Sequence, residues 1–306
     1  RGLGDVYKRQ GQVHVLADGG RIRVDGRIKA NSTGTNDKGQ PKAGGDIYIG
    51  RDRDTNVLAA IGDASGAQLE SLGGFVETSG AFLRVDEARV SAKDWLLDPT
   101  DILISTGTNS TTNTSGTITG SGTASIVNVT TLQNNLANTN IIIDTAGAGD
   151  GNGDITVADA VTWSSARSLT LKANRHITVN AAITANGKAD INLKADQFAA
   201  GTGDVNINAA VRTTGGNVII SGVNVNSIAA GTVNTSGPTN VDAGNITINS
   251  SASVNLASVL TANGGGASWG PGGFGGVISI TAETDIKTAG LSARGSTVGE
   301  GNTAAI

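Results

Sequence analysis

Ile177-Thr178-Val179-Asn180-Ala181-Ala182-Ile183 decides the fold, because the same phrase stands on either side of it as Leu169-Thr170-Leu171 and Ile191-Asn192-Leu193. An aliphatic residue, a Thr or Asn and a second aliphatic make a three-residue strand with one apolar face, and a Gly, Asn or Asp turn follows each. Working outward, the phrase recurs as Ile155-Thr156-Val157, Val205-Asn206-Ile207, Val218-Ile219-Ile220, Ile246-Thr247-Ile248 and Val254-Asn255-Leu256. Ile155 and Ile177 are 22 residues apart, as are Leu169 and Ile191, so the spacing predicts a rung of about 22 residues with two or three strands. A three-residue strand cannot bury its apolar face alone, so the rungs must stack. The expectation is an all-β parallel β-helix (β-solenoid) of about 13 rungs, a rod on the order of 60 Å long at a strand spacing of ~4.8 Å. Thr and Asn in register on successive rungs are candidates for hydrogen-bonded ladders.

Composition agrees. The 306 residues include 45 Gly, no Cys, no Met and 3% aromatics, with a formal charge of −4. That suits a narrow aliphatic core and not a thick globular one. The weak, unclustered acidity argues against nucleic acid, which needs a basic face. No apolar run approaches the roughly 20 residues that span a bilayer, so no transmembrane segment is expected. A rod of stacked hydrogen bonds needs no disulfides, so the lack of Cys does not fix the compartment. The missing initiator Met reads as the mark of an internal piece. Residues 1–10 read as a sequencing-adaptor artefact and are set aside.

Four stretches divide the chain: the set-aside residues 1–10, a β-helix segment 11–104, a polar loop with a short helical turn at 105–140, and the repeat segment 141–306. In the second stretch the strands are Val13-His14-Val15, Ile22-Arg23-Val24, Ile47-Tyr48-Ile49, Phe75-Val76-Glu77 and Phe82-Leu83-Arg84-Val85. Residues 31–42, 105–125 and 264–276 are too polar or too Gly-rich for the core and are expected to protrude as loops. Leu132 and Leu136 lie four apart behind a Thr that can cap a helical turn. In Asp94-Trp95-Leu96-Leu97-Asp98-Pro99-Thr100-Asp101-Ile102 the pattern breaks at a Trp and a Pro. Asp98 and Asp101 are an acid–base pair on one reading and a structural corner with Trp95 over the core on the other, and the corner is preferred.

Gly73-Gly74-Phe75-Val76-Glu77-Thr78-Ser79-Gly80 followed by Trp95-Leu96-Leu97-Asp98-Pro99-Thr100-Asp101-Ile102 resembles a recurring segment of filamentous-haemagglutinin-like adhesins, the large two-partner secretion exoproteins of Gram-negative bacteria. The resemblance covers most of residues 43–290, although its later phrases are common to β-solenoids in general. It implies a right-handed parallel β-helix, passage through an outer-membrane two-partner secretion pore, secretion to the bacterial cell surface, and adhesion to a host-cell receptor or surface glycan. The secretion domain of that family is not visible in this sequence. A passenger of a single-chain autotransporter and a polysaccharide-acting β-helix enzyme are the alternatives, the enzyme being disfavoured by the scarcity of aromatic platforms.

Other chemistry is sparse, and no cofactor, catalytic residue or metal centre is assigned. Asp150, Asn152 and Asp154 alternate like calcium ligands, but the sixth position of such a loop is Ile155 and the twelfth is Val161, where Gly and an acid are needed. The competing reading is a turn into the next strand. His14 and His176, the only histidines, have no partner at ligand spacing, and His14 is expected to face outward. The glycines around Pro271 lack the Lys-Ser or Lys-Thr of a phosphate loop. Sequons are abundant, with Asn109 and Asn113 on the polar loop the best glycosylation candidates.

Overall fold

The computed structural model describes residues 11–51, 57–108, 111–114, 117–120, 124–145, 151–267 and 272–296. Within them the chain winds as a parallel β-solenoid with three strands per rung. In one coil these are Ile155–Val157, Val161–Trp163 and Leu169–Lys172. They belong to what we term the first flank, the second flank and the front sheet. The next coil stacks on them in register, pairing Ile155 with Ile177, Val161 with Ile183 and Leu169 with Ile191.

Alternation then builds the core. Along the front sheet one inward column runs Ile47, Val76, Trp95, Ile141, Leu169, Ile191, Val218, Ile246 and Ile278. Most of its members are completely buried. Volume is balanced locally: on the second flank Trp163 stacks on Ala185, so the largest side chain meets one of the smallest. The Thr and Asn between the aliphatics point outward and in places form the expected ladders, as where Asn192 donates to Thr170 at 3.2 Å and Asn208 to Asn180 at 2.8 Å.

The 22-residue rung holds for only part of the rod. Down the first flank the steps are 22 from Ile155 to Ile177, 28 to Val205, 20 to Val225, 29 to Val254 and 32 to Ile286. From Ile155–Val157 to Val225–Ser227 each strand is three residues long, so the variation between these rungs sits in the turns. A turn lies outside the stack and can lengthen without disturbing the column it connects. The front sheet contains ten stacked strands among the described residues, fewer than the 13 rungs expected from dividing the length by 22. At ~4.8 Å per strand the sheet is roughly 45 Å tall.

Loops depart from expectation too. Residues 31–42 do form a projecting turn, closed by the bridge between Thr35 and Pro41. The 105–125 stretch instead holds an antiparallel hairpin, Thr111–Thr114 against Thr117–Gly120. Several glycines of 264–276 are tucked in: Gly264 donates to Arg294 O at 2.7 Å and Gly276 to Ala262 O at 2.9 Å. A Cβ on Gly264 would stand 1.9 Å from Gly273 O, so only glycine allows the two limbs to approach.

One coil is irregular. Along the first flank the stack runs Phe82–Arg84, then Ser125–Asn128, then Ile102–Ser105, then Ile155–Val157, out of chain order. On the second flank the same height is filled by the helix α1, Val129–Leu136. A helix about 10 Å across replaces two strands spaced ~4.8 Å. Asn128 caps it, accepting from Thr130 N at 2.9 Å, in place of the Thr expected. Val129, Leu132 and Leu136 form its buried stripe.

Candidate functional site

The Trp95–Asp101 segment is fully employed in joining rungs. Trp95 points inward, completely buried, and its indole N–H donates to Thr78 Oγ1 at 3.0 Å. Asp98, also buried, is ion-paired with Arg51. Thr100 donates to Ala81 O at 3.0 Å. Asp101 is buried under the next turn, its carboxylate accepting the N–H groups of Asn152, Gly153 and Asp154 at 3.1, 2.8 and 2.8 Å. Three converging amides form an anion-binding concavity of the kind that fixes carboxylates. Gly153 permits it, with φ of 80° and Asn174 Cβ only 2.4 Å from where its own Cβ would be. Asp98 and Asp101 therefore serve different partners, and the corner reading accounts for both.

From Asp101 a polar ladder descends the edge that precedes each first-flank strand. Asp154 accepts from His176 N at 3.1 Å, His176 Nδ1 from Asp204 N at 3.0 Å, Asp204 from Asn224 N at 3.0 Å and Asn224 from Ser253 N at 3.3 Å. Each step spends a side-chain acceptor on the backbone donor of the following rung, so turn amides that the sheets leave over are satisfied. A second ladder precedes the front strands, where Asp190 accepts from Asn217 N at 2.7 Å, Asn217 from Asn245 N at 2.9 Å and Asn245 from Val277 N at 2.9 Å.

The calcium candidates fall on this corner. Asp150 lies outside the described residues. Asn152 contributes its backbone N–H to Asp101, and Asp154 holds Arg175 through both carboxylate oxygens, with Arg175 Nε at 2.8 Å. Burial pushes the Asp154 carboxyl up, but the Arg175 guanidinium and the His176 amide outweigh it and hold the group below its ordinary range. Among the described residues no three His, Asp or Glu converge as metal ligands. His14 is exposed on the front sheet, its ring centroid 5.0 Å from that of Tyr48. Asn113 lies in the hairpin, whereas Asn109 and Pro271 are outside the described residues.

A groove of about 940 Å³ lies beside α1. It forms where the helix stands beside the second flank. Gln68, Glu87, Arg89 and Ser91 line the strand side, and Thr130, Asn134 and Asn138 the helix side. Glu87, Arg89, Asn134 and Asn138 are exposed, and among the described residues no aromatic ring lines the groove. The helix wall is rigidly held: Asn135 accepts from Val90 N at 2.7 Å and donates to Ala88 O at 2.8 Å, and Thr131 Oγ1 accepts from Glu87 N at 2.9 Å. The arrangement offers amide, hydroxyl, carboxylate and guanidinium groups to a polar ligand. Sequence reading missed it because its two walls are about 40 to 70 residues apart, 44 in the case of Glu87 and Thr131. No family model matches this chain, and no curated protein matches it.

Proposed function

We propose that this chain is a length of a surface-exposed adhesive rod, similar in role to the filamentous-haemagglutinin-like exoproteins its sequence resembles, and that the groove beside α1 is its contact surface. The observation that carries this reading is the contrast between the regular stack and its single helical coil. Along the two ladders the side chains of Asp101, Asp154, His176, Asp204, Asn224, Asp190, Asn217 and Asn245 are spent on joining rungs. At α1, by contrast, Glu87, Arg89, Asn134 and Asn138 face a rigid groove. Functional residues are placed on irregular segments that a stiff frame holds in position.

The ligand that fits these groups is a glycan, whose hydroxyls both donate to Glu87 and the amide oxygens and accept from Arg89 and the amide nitrogens. In this reading the rod reaches the cell surface through an outer-membrane pore and meets a host receptor or surface glycan. A glycan-array screen of the purified chain tests it, with Arg89→Ala and Asn134→Ala as probes. Binding that falls at least tenfold in both variants, with unchanged circular dichroism, supports the groove. Binding that both variants retain moves the contact elsewhere on the rod, and no binding to the array or to intact host cells removes the adhesive role.

A further inference from the structure

The out-of-order strand carries an inference that stands independently of the proposed function. In most of the stack a strand pairs with one that precedes it in the chain, so rungs can be laid down in sequence. Ile102–Ser105 is different. Its neighbour on one side is Ser125–Asn128, with Ile102 opposite Ser125, and on the other Ile155–Val157, with Ile102 opposite Ile155. Both lie later in the chain. The edge preceding them, Phe82–Arg84, meets Ser125 instead, the Leu83 amide donating to Ser125 Oγ at 2.9 Å.

The polar anchors repeat the pattern. Asp101 is held by the amides of residues 152–154, and Thr106 bonds Asp159 through both its amide and its hydroxyl, at 2.7 and 2.9 Å. Ser125–Asn128 runs directly into α1, which docks on the preceding rung through Thr131 and Asn135 and on the following one where Thr162 N donates to Gln133 at 2.7 Å.

We infer that residues from about 99 to 159 fold as one cooperative unit, and that rung-by-rung growth stops at Asp98 until this whole stretch is available. A strand with no preformed edge gains no ladder bonds to offset its ordering entropy, so it cannot precede its partners. The helix docks first on the finished rung through Thr131 and Asn135, bringing Ser125–Asn128 against Phe82–Arg84 through the Ser125 hydroxyl, and Ile102–Ser105 is then captured between Ser125–Asn128 and Ile155–Val157. Elsewhere growth needs only the next 20 to 32 residues.

Pulsed hydrogen exchange with mass spectrometry, applied to the full chain during refolding from urea, tests this. The expected result is that peptides covering 102–105 gain protection with, or after, those covering 125–136 and never before them. The Asn135→Ala variant adds a second readout, since Asn135 bonds Ala88, Val90 and Thr131 and not the captured strand. It should delay protection of 102–105 by the same factor as that of 125–136. Earlier protection of 102–105 in the unmodified chain, or a delay confined to 125–136 in the variant, overturns the inference. If the variant does not fold, the order measured in the unmodified chain still decides.

Discussion

The backbone N–H of Asp154 donates to Oδ1 of Asp101 at 2.8 Å, tying together residues 53 apart in the chain. This bond starts the ladder that continues through His176, Asp204 and Asn224, and it is the point where a buried carboxylate meets three amides. Removing the acceptor strands those donors next to a turn with no alternative partner. Asp101→Ala is expected to cost about 3 kcal/mol, from hydrogen bonds to a charged group of ~1.5–3 kcal/mol that do not add fully. Asp101→Asn keeps one acceptor oxygen and should lose less. Urea denaturation checks both, and an alanine variant within 0.5 kcal/mol of the parent, roughly the size of an inert surface change, would show that the turn does not depend on this carboxylate.

Acid should act on the same corner. The folded Asp154 carboxyl lies below its unfolded value of about 3.9 because of Arg175 and His176, despite the opposing effect of burial. A carboxyl depressed in this way contributes stability that is present above the unfolded value and is lost as pH falls through the folded one. Stability should therefore decline from about pH 5 downward, and Asp154→Asn should flatten part of that decline while lowering stability at neutral pH. Equal slopes for parent and variant between pH 5 and 2 would assign the acid sensitivity to other groups. Glu70, lowered by hydrogen bonds from Arg27 and Asn31, and Asp159, lowered by Thr106, are the next candidates.

Asn135 is the clamp between α1 and the rung before it. Its amide satisfies one donor and one acceptor of the buried 88–90 backbone. Asn135→Ala leaves both without their partner at a largely buried position, for a loss of about 2–4 kcal/mol. Asn135→Asp keeps the bond from Val90 N but cannot donate to Ala88 O, and should be no better tolerated. Thermal denaturation of the two variants is the check, and a midpoint unchanged by alanine would mean that helix docking rests on its other contacts, through Thr131, Gln133 and the buried Val129, Leu132 and Leu136.

How much of this was legible is best judged residue by residue. Ile177, Val179, Leu169, Leu171, Ile191 and Leu193 declare their inward positions because alternation is a local property, and all are completely buried. Strands such as Val161–Trp163 and Val211–Thr213 do not declare themselves, since a Trp or a Thr stands where the repeated phrase has its second aliphatic residue. The constancy of the rung was misjudged for a related reason. Two coils of 22 residues say nothing about turns, whose length is free. The capture of Ile102–Ser105 between later strands is invisible locally, because Ile102-Leu103-Ile104 has the same pattern as any in-order strand. The Asp and Asn before each strand were visible as turn residues. Their service to the next rung depends on stacking register, which no single phrase contains.

Trp163 and Ala185 offer the most direct test of the register. They sit opposite each other on adjacent rungs of the second flank, with Trp163 nearly fully buried and its indole donating to Arg167 O at 2.8 Å. Ala185→Leu alone forces added volume against the ring and should cost about 1–3 kcal/mol. Trp163→Leu alone opens a cavity and frees the Arg167 carbonyl, for roughly 2–4 kcal/mol. Combined, the two leucines restore much of the volume, so the double variant should be more stable than the sum of the single losses predicts, by about 1 kcal/mol or more for side chains in contact. Strict additivity in the double-mutant cycle would mean that the two residues do not touch and that the second flank is stacked in a different register. A shift of one residue in either strand would turn that strand's side chain outward and part the pair, so the coupling energy reports on the register of the flank as well as on the pair.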